Sequence, residues 1–343
     1  MTGSSGFIGS HVVDALLAMG AEVRALVRPM SSNLRRPAGV SYCTADVLQG
    51  DEVLNSPIWN GATHVFHLAG VTTARTLSEF RAGNVTPLKH VLAAVERRLP
   101  NVNRVVVVSS QAAGGPAVSA TQPADGTNSV APVEWYGQSK LEAELLALTF
   151  VARLPVSIVR LSSVYGPRDR DFLAAFRQAV RPVALYATPP DHRIELAYVS
   201  DVVRALSAVA VNDVAIGKRY TVTGLASVSW RELYAEVARA AAVRTRNLTV
   251  PMTIMRTAAR AGDVLGIVTQ RTPLINSQKL TLGRQPFWLC DGSAIRRDLQ
   301  WHPQVSLQAG VRDTYVWYVA ARLLHRNRTP RDISHSVGQD SAH

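Results

Sequence analysis

Apolar residues follow two different periods along the first half of the chain. Short apolar runs, typical of strands, alternate with longer stretches in which apolar residues recur at helical spacing. The predicted strands are 22–28, 63–70, 104–110 and 156–167, the last of which ends in a turn, and the predicted helices are 10–19, 84–98 and 136–154. This alternation predicts an α/β fold built on a doubly wound parallel sheet, which binds ligands beyond the carboxyl ends of its strands.

The pattern becomes less regular after Pro167. Helices are predicted near 171–179, 200–210, 229–242 and 306–324, and a short strand at 218–222. We expect residues 1–165 to form the domain that contains the sheet. Residues 166–324 are expected to form a smaller α+β region that is mainly substrate-binding, with some segments returning to the sheet. Residues 325–343 are polar and predict a tail.

The charge balance of the chain is basic. Its 343 residues carry a formal net charge of +12, from 37 Lys and Arg against 25 Asp and Glu. The basic residues are scattered, and no basic helix interleaved with aromatic residues is present, so nucleic acid is not a predicted partner. Phosphorylated cofactors or substrates explain the surplus positive charge better.

The cysteines and the apolar runs narrow the class of protein further. Cys43 and Cys290 are far apart and form neither a disulfide framework nor a zinc-site spacing. The histidines show no metal spacing either, and no metal is predicted. The first residues do not resemble a secretory signal, and no apolar run is long enough to span a membrane. We therefore expect a cytoplasmic protein without a membrane partner.

A glycine-rich turn lies directly before the first predicted helix. Gly3, Gly6 and Gly9 have the spacing GxxGxxG. In a dinucleotide-binding turn of this kind the first glycine permits the tight turn, the second lets the backbone approach a pyrophosphate, and the third lets the helix pack closely. The N–H groups at the helix start then attract the phosphates.

Two further segments carry candidate catalytic groups. Tyr136 and Lys140 are four residues apart at the start of a predicted helix and therefore share one face. A cation beside a phenol lowers the pKa of the phenol, which can then exchange a proton with an alcohol or ketone. Ser110 ends the strand 104–110, at the ligand-binding edge of the sheet. Its hydroxyl is expected to orient the reacting oxygen.

These segments together resemble the extended short-chain dehydrogenase/reductase family, also called the NAD-dependent epimerase/dehydratase family. The resemblance covers nearly the whole chain and implies a Rossmann-type domain over residues 1–165. The matching segments are TGSSGFIG at 2–9, CTADV at 43–47, HLAG at 67–70, Asn84, SSQAAGGP at 109–116, YGQSK at 136–140, VRLSSVYGPRDRDF at 159–172, YVSDVVRAL at 198–206 and WHPQVSLQAGVRDTYVWY at 301–318.

The resemblance implies a set of site residues. Ser110, Tyr136 and Lys140 are the expected catalytic residues, and Lys140 is also expected to hold the nicotinamide ribose. The expected cofactor-binding residues are Gly3, Gly6, Phe7, Ile8, Gly9, Arg28, Asp46, Val47, Leu68, Ala69, Gly70, Tyr136, Lys140 and Leu161.

The predicted cofactor is NADP, with NAD as the alternative. An acidic residue about 20 positions after the glycine turn reads the ribose 2′-hydroxyl of NAD, whereas an Arg there accommodates a 2′-phosphate. The strand 22–28 ends in Arg28, and Ser31, Ser32 and Arg35 follow it. An Arg fork can bind a phosphate through two hydrogen bonds, and the serines can add others.

The chain departs from the family pattern at several points. The family has an apolar strand immediately before the glycine turn, whereas only Met1 stands there, and we expect the true start to lie upstream. Arg160-Leu161 replaces Arg-Pro beside the nicotinamide. Gly114 replaces a tyrosine that is common in the members that bind nucleotide sugars, and residues 191–201 also match those members poorly.

Three functions remain open at this stage. The first is an NAD(P)-dependent oxidoreductase that transfers hydride between the nicotinamide and a carbonyl or secondary alcohol of a small-molecule substrate. The second is a nucleotide-sugar epimerase that uses the same groups, since Gln111-Ala112 in place of an Asp-Glu pair disfavours a dehydratase. The third is a non-catalytic NAD(P)-binding sensor. A homodimer is compatible with all three.

Overall fold

A mixed α/β fold is present in the computed structural model, which describes residues 1–29, 37–124, 131–269, 273 and 276–324. The helices are α1 Phe7–Ala18, α2 Gly50–Asn55, α3 Leu77–Asn84, α4 Thr86–Arg98, α5 Trp135–Leu148, α6 Leu173–Ala179, α7 Val199–Val211, α8 Trp230–Ala240, α9 Met252–Thr269, α10 Ser277–Arg284, α11 Ser293–Leu299 and α12 Leu307–Ala320. The strands are β1 Val23–Val27, β2 Val40–Thr44, β3 His64–His67, β4 Arg104–Ser110, β5 Val156–Leu161, β6 Ser163–Tyr165, β7 Val183–Tyr186, β8 Arg193–Tyr198, β9 Arg219–Val222, β10 Ser227–Ser229, β11 Arg246–Thr249 and β12 Phe287–Trp288. The predicted tail at 325–343 and the predicted phosphate ligands Ser31, Ser32 and Arg35 lie outside the described residues.

The main sheet is parallel, as the sequence pattern predicts. One part has the order β3-β4-β5-β9, and β1 pairs with β2 in the other. Strand β4 is buried on both faces. Val105 and Val107 belong to one apolar core together with residues of α4 and α5, whereas Val106 belongs to a second core with residues of α1 and α7. The continuous run of valines therefore reports a strand that helices cover on both sides.

The two parts of the sheet are joined by the first two residues of the chain. The Met1 carbonyl accepts a hydrogen bond from Leu26 N at 2.9 Å, and Thr2 N donates to Phe66 O at 2.9 Å. Met1 and Thr2 thus occupy one end of a central strand position between β1 and β3. Below them lies a cavity of about 670 Å³, lined by Met1 and by residues of both strands, among them Val23 and Val65.

The second region packs around its own apolar core. Strand β8 pairs with β6, β10 and β12, and β7 pairs with β11 in a separate two-stranded sheet. The helices α6, α8 and α12 contribute buried aromatic residues to this core, among them Phe176, Tyr234 and Tyr318. Phe176 and Tyr318 meet edge to face, with 5.1 Å between ring centroids.

Several predicted helices end earlier than the sequence pattern indicates. Helix α5 ends at Leu148 rather than 154, because turns at 149–153 lead into β5. The predicted helix 84–98 is α4, and a separate helix, α3, precedes it. Over the described ranges, none of the helices combines the length and the hydropathy that crossing a membrane requires.

Candidate active site

The three glycines of the turn between Thr2 and α1 lie in different surroundings. Gly3 has φ +72°, and a Cβ there would lie 2.6 Å from the Ala69 nitrogen. A Cβ on Gly9 would lie 2.0 Å from the Gly3 carbonyl oxygen, so Gly9 allows α1 to pack on the turn. Gly6 is exposed, and the nearest atom to a Cβ there is the Gly3 oxygen at 3.3 Å. Two glycines therefore shape the turn, and the third faces outward.

The same turn has hydrogen-bonding groups suited to a phosphate. Helix α1 begins after Gly6 without a side-chain cap and has no acidic residue in its first turn. Its first N–H groups and its dipole favour an anion. The hydroxyl of Ser4 is buried and has no hydrogen-bond partner in the described part of the chain. A buried unpartnered hydroxyl beside an uncapped helix start fits the pyrophosphate of a dinucleotide.

The predicted Ser110 and Tyr136 lie together. Ser110 ends β4, where its hydroxyl accepts a hydrogen bond from Ala112 N at 3.2 Å, and Tyr136 lies in the first turn of α5. Burial raises the pKa of Tyr136 to about 12, a hydrogen bond with Ser110 opposes the rise, and the carboxylates of Glu134 and Asp171 add to it. At neutral pH the Tyr136 hydroxyl is therefore a proton donor.

The prediction that Lys140 lowers the pKa of Tyr136 is wrong for this state of the protein. The Lys140 ammonium donates a hydrogen bond to the Val108 carbonyl oxygen at 2.8 Å, and the desolvation of the phenol decides the pKa of Tyr136. Burial also lowers the pKa of Lys140 to about 8, although Glu144 opposes this shift. Lys140 lies on the same helix face as Tyr136, as the spacing predicts.

Glu134 holds the start of α5, a contact that the sequence analysis missed. Its carboxylate accepts hydrogen bonds from Tyr136 N at 2.5 Å and from Gly137 N at 2.6 Å, and burial raises its pKa. The carboxylate caps two free N–H groups and so orients the first turn, which contains Tyr136. An acidic residue two positions before a predicted helix start was the available signal.

Asn84 joins the segment after β3 to helix α5. The Asn84 side chain accepts a hydrogen bond from Val71 N at 2.8 Å and donates one to the Ser139 hydroxyl at 2.9 Å. A Cβ on Gly70 would lie 2.8 Å from the Asn84 amide oxygen. The predicted residues Leu68, Ala69 and Gly70 therefore lie between the glycine turn and α5.

The remaining predicted cofactor residues lie at strand ends or on α1. Arg28 is exposed and follows β1, and Asp46 and Val47 follow β2. Phe7 and Ile8 form the first turn of α1. Leu161 ends β5, but its side chain packs in the core beside α7, so only its backbone is placed for a ligand.

A pocket of about 410 Å³ opens beside Ser110 and Tyr136. The large apolar side chains in its lining come from the second region of the chain: Phe172, Ile194, Trp230, Leu282 and Trp288. The hydroxyl of Ser162, also in the lining, is buried without a hydrogen-bond partner among the residues that the structure covers. The sequence pattern did not reveal these residues, because they come from five separate elements and loops.

Known proteins resemble this chain in sequence and in fold. Residues 1–223 match the NAD dependent epimerase/dehydratase family. The 4-hydroxy-2-methyl-3-oxo-4-farnesyl-3,4-dihydroquinoline-1-oxide ketoreductase of Stigmatella aurantiaca is 28% identical over 322 residues, which cover 91% of this chain and 93% of the relative. The ceramide reductase of Caulobacter vibrioides is 26% identical over 342 residues, 95% of this chain and 96% of the relative.

The structure of MoeE5 in complex with UDP-glucose and NAD superimposes with a TM-score of 0.73 and 23% sequence identity. The alignment covers 94% of this chain and 98% of MoeE5. A similarity at this level of identity concerns the fold, and it extends over both the sheet domain and the second region.

Proposed function

The chain belongs to the NAD-dependent epimerase/dehydratase family of enzymes, and within this family we propose that it is an NAD(P)-dependent ketoreductase. The proposed reaction transfers hydride between the nicotinamide and a carbonyl or secondary alcohol of an apolar substrate. One observation carries the proposal: the hydroxyls of Ser110 and Tyr136 lie in the wall of a pocket whose other walls are largely aromatic and aliphatic.

Tyr136 is the proposed proton donor. Its raised pKa keeps the hydroxyl protonated at neutral pH, ready to protonate a carbonyl oxygen that becomes an alcohol. Ser110 is proposed to donate a second hydrogen bond to the same oxygen and so to fix its position. The nicotinamide, when bound, supplies or accepts the hydride.

Lys140 is proposed to support the phenolate that forms when Tyr136 gives up its proton. With a pKa of about 8, the Lys140 side chain is mainly an ammonium ion at neutral pH. In the present structure the ammonium donates to the Val108 carbonyl, at the ligand-binding edge of the sheet. From there it can also donate to a ribose hydroxyl of the cofactor.

NADP is the proposed cofactor, and NAD is the alternative. The glycine turn, with exposed Gly6 and the unpartnered Ser4 hydroxyl, suits the pyrophosphate that both cofactors share. The preference for NADP rests on Arg28, a guanidinium at the end of β1 where NAD-specific folds have an acidic residue.

The apolar pocket walls support a substrate with an apolar body. Trp230, Trp288 and Phe172 offer large apolar surfaces, and Lys279 and Glu134 are the charged residues in the lining within the described chain. The Glu134 carboxylate already accepts hydrogen bonds from two backbone N–H groups at the start of α5. The names of two relatives, a reductase for a farnesyl-bearing quinoline oxide and a ceramide reductase, agree with such a substrate.

Epimerisation of a nucleotide sugar is the second candidate. Lys279 at the pocket wall is the observation that favours it, because an ammonium there can pair with a diphosphate. MoeE5, whose complex contains UDP-glucose, also shares the fold.

A substrate panel separates the two candidates. The purified protein is incubated with NADPH or NADH and either an aryl alkyl ketone, a long-chain 3-keto lipid or UDP-glucose. Oxidation of the nicotinamide by the ketones, followed by its absorbance, supports the ketoreductase. Conversion of UDP-glucose to UDP-galactose without net change in absorbance, together with inert ketones, contradicts it. The Tyr136→Phe variant is the control, because either activity should depend on this hydroxyl.

A further inference from the structure

Helix α9 has apolar residues on both its buried and its exposed side. Met255, Ala259, Gly262 and Gly266 recur at helical spacing and form the buried side. On the opposite side Ile254, Val264, Leu265 and Val268 are 57%, 61%, 56% and 74% exposed. A surface helix normally presents polar residues to water, and an apolar exposed side indicates an interaction surface.

Arginines outnumber acidic residues along this part of the chain. Residues 241–269 contain four arginines, Arg244, Arg246, Arg256 and Arg260, and one acidic residue, Asp263. All four are exposed, and no carboxylate of the described chain pairs with them. Arg256 and Arg260 lie on α9 itself, one turn apart, along one border of the apolar face.

The segment before α9 has the same character. Strand β11 pairs in parallel with β7, so that Leu248 lies beside Leu185 on a shared face of this small sheet. The two side chains are 56% and 42% exposed. Apolar surface and arginine therefore continue from β11 into α9.

Helix α9 is also close to the substrate pocket. The Asp263 carboxylate accepts hydrogen bonds from the backbone N–H and from the hydroxyl of Ser277, the first residue of α10. Helix α10 in turn contributes Leu282 and Gly283 to the pocket lining. Helix α10 thus contacts both α9 and the pocket.

We propose that the exposed face of α9 docks on a membrane surface that contains anionic phospholipid. The apolar side chains enter the boundary between headgroups and acyl chains, and the flanking arginines bind the lipid phosphates. A substrate dissolved in the bilayer then reaches the pocket from the membrane side, a consequence that rests on the proposed function. The sequence predicts no membrane partner because no apolar run is long enough to cross the bilayer, and docking on the surface does not require such a run.

Vesicle co-sedimentation with the full chain tests the docking. We compare vesicles of phosphatidylcholine alone with vesicles that also contain phosphatidylglycerol. The protein should bind the mixed vesicles, and binding should weaken as salt is added, because salt screens the arginines. The triple variant Ile254→Gln/Leu265→Gln/Val268→Gln should reduce binding by about tenfold or more.

A matched control carries the same number of glutamines at exposed apolar positions elsewhere. Val214→Gln/Leu225→Gln/Val316→Gln replaces residues that are 50%, 54% and 59% exposed, and it should bind as the parent protein does. Failure of the parent to bind the mixed vesicles, or equal binding by both triple variants, overturns the inference. A parent dimer that the α9 variant converts to monomers also overturns it, because a second copy then covers the face.

Turnover of a small water-soluble ketone is measured on all variants in parallel. The α9 variant should keep this turnover, which shows that it is folded. If the protein binds the vesicles but turns over none of the ketones in the panel, the docking proposal stands. Only the proposal that the protein is a ketoreductase is then contradicted. The two proposals therefore fail separately.

Discussion

Arg160 and Glu144 form a bidentate ion pair inside the protein. Nε of Arg160 lies 2.8 Å from Oε1 of Glu144, Nη2 lies 2.8 Å from Oε2, and the two side chains are 3% and 1% exposed. The Ser109 hydroxyl donates to the same carboxylate at 2.5 Å. Glu144 lies one helical turn after Lys140, so the pair fixes the catalytic face of α5 against β4 and β5.

We predict that Glu144→Gln destabilises the protein by about 3–5 kcal/mol, because it removes the buried carboxylate that pairs with the Arg160 guanidinium. It should also shift the pH profile of turnover. Glu144 raises the pKa of Lys140, so its neutralisation lowers that pKa further and leaves less ammonium at neutral pH. Urea unfolding and the pH dependence of kcat/KM measure the two effects.

Asp191→Asn is the control, since the ion pair of Asp191 with Arg231 is exposed. It should leave the unfolding midpoint and the pH profile unchanged. Equal midpoints for Glu144→Gln and Asp191→Asn would show that the buried pair contributes nothing to stability.

Tyr136→Phe should lower kcat by about 10²–10⁴-fold, the range expected for a positioned acid. The change removes the transferable proton and keeps the ring, which packs 6.1 Å from that of Phe80. Cofactor affinity, measured by fluorescence titration, should stay close to that of the parent. Near-normal turnover of a substrate that the parent converts would remove Tyr136 from the reaction.

Gly6→Val and Gly9→Ala should fail in different ways. Gly6 has φ −74° and ψ 174°, which valine adopts readily, and a Cβ there would lie 3.3 Å from the Gly3 carbonyl oxygen, a tight contact that a small shift relieves. The Gly6 variant should therefore fold with a small loss of melting temperature and lose cofactor affinity. A Cβ on Gly9 would lie 2.0 Å from the Gly3 oxygen, so that variant should lose stability as well. Calorimetry and cofactor titration separate the two outcomes, and unaltered affinity in Gly6→Val would contradict a role in binding.

The sequence predicted the sheet domain well because its signals are local. The apolar run at 104–110 matches β4 from end to end, and the spacing of Tyr136 and Lys140 predicted one helix face.

The pocket walls were not predicted, since Phe172, Trp230 and Trp288 are far apart along the chain. The pKa of Tyr136 was predicted in the wrong direction, because it depends on burial, which helical spacing does not report. The exposure of the apolar face of α9 could not be predicted either, because an apolar face turned to solvent has the same periodicity as a buried one.

Arg28→Ala should raise the KM for NADPH more than that for NADH. The guanidinium is proposed to bind the 2′-phosphate, which only NADPH carries. Arg24→Ala is the comparison, because Arg24 lies near the other end of β1, where its guanidinium is 2.7 Å from the Glu22 carboxylate. Equal effects of Arg28→Ala on the two cofactors, or a parent enzyme that prefers NADH, would contradict the assignment of NADP.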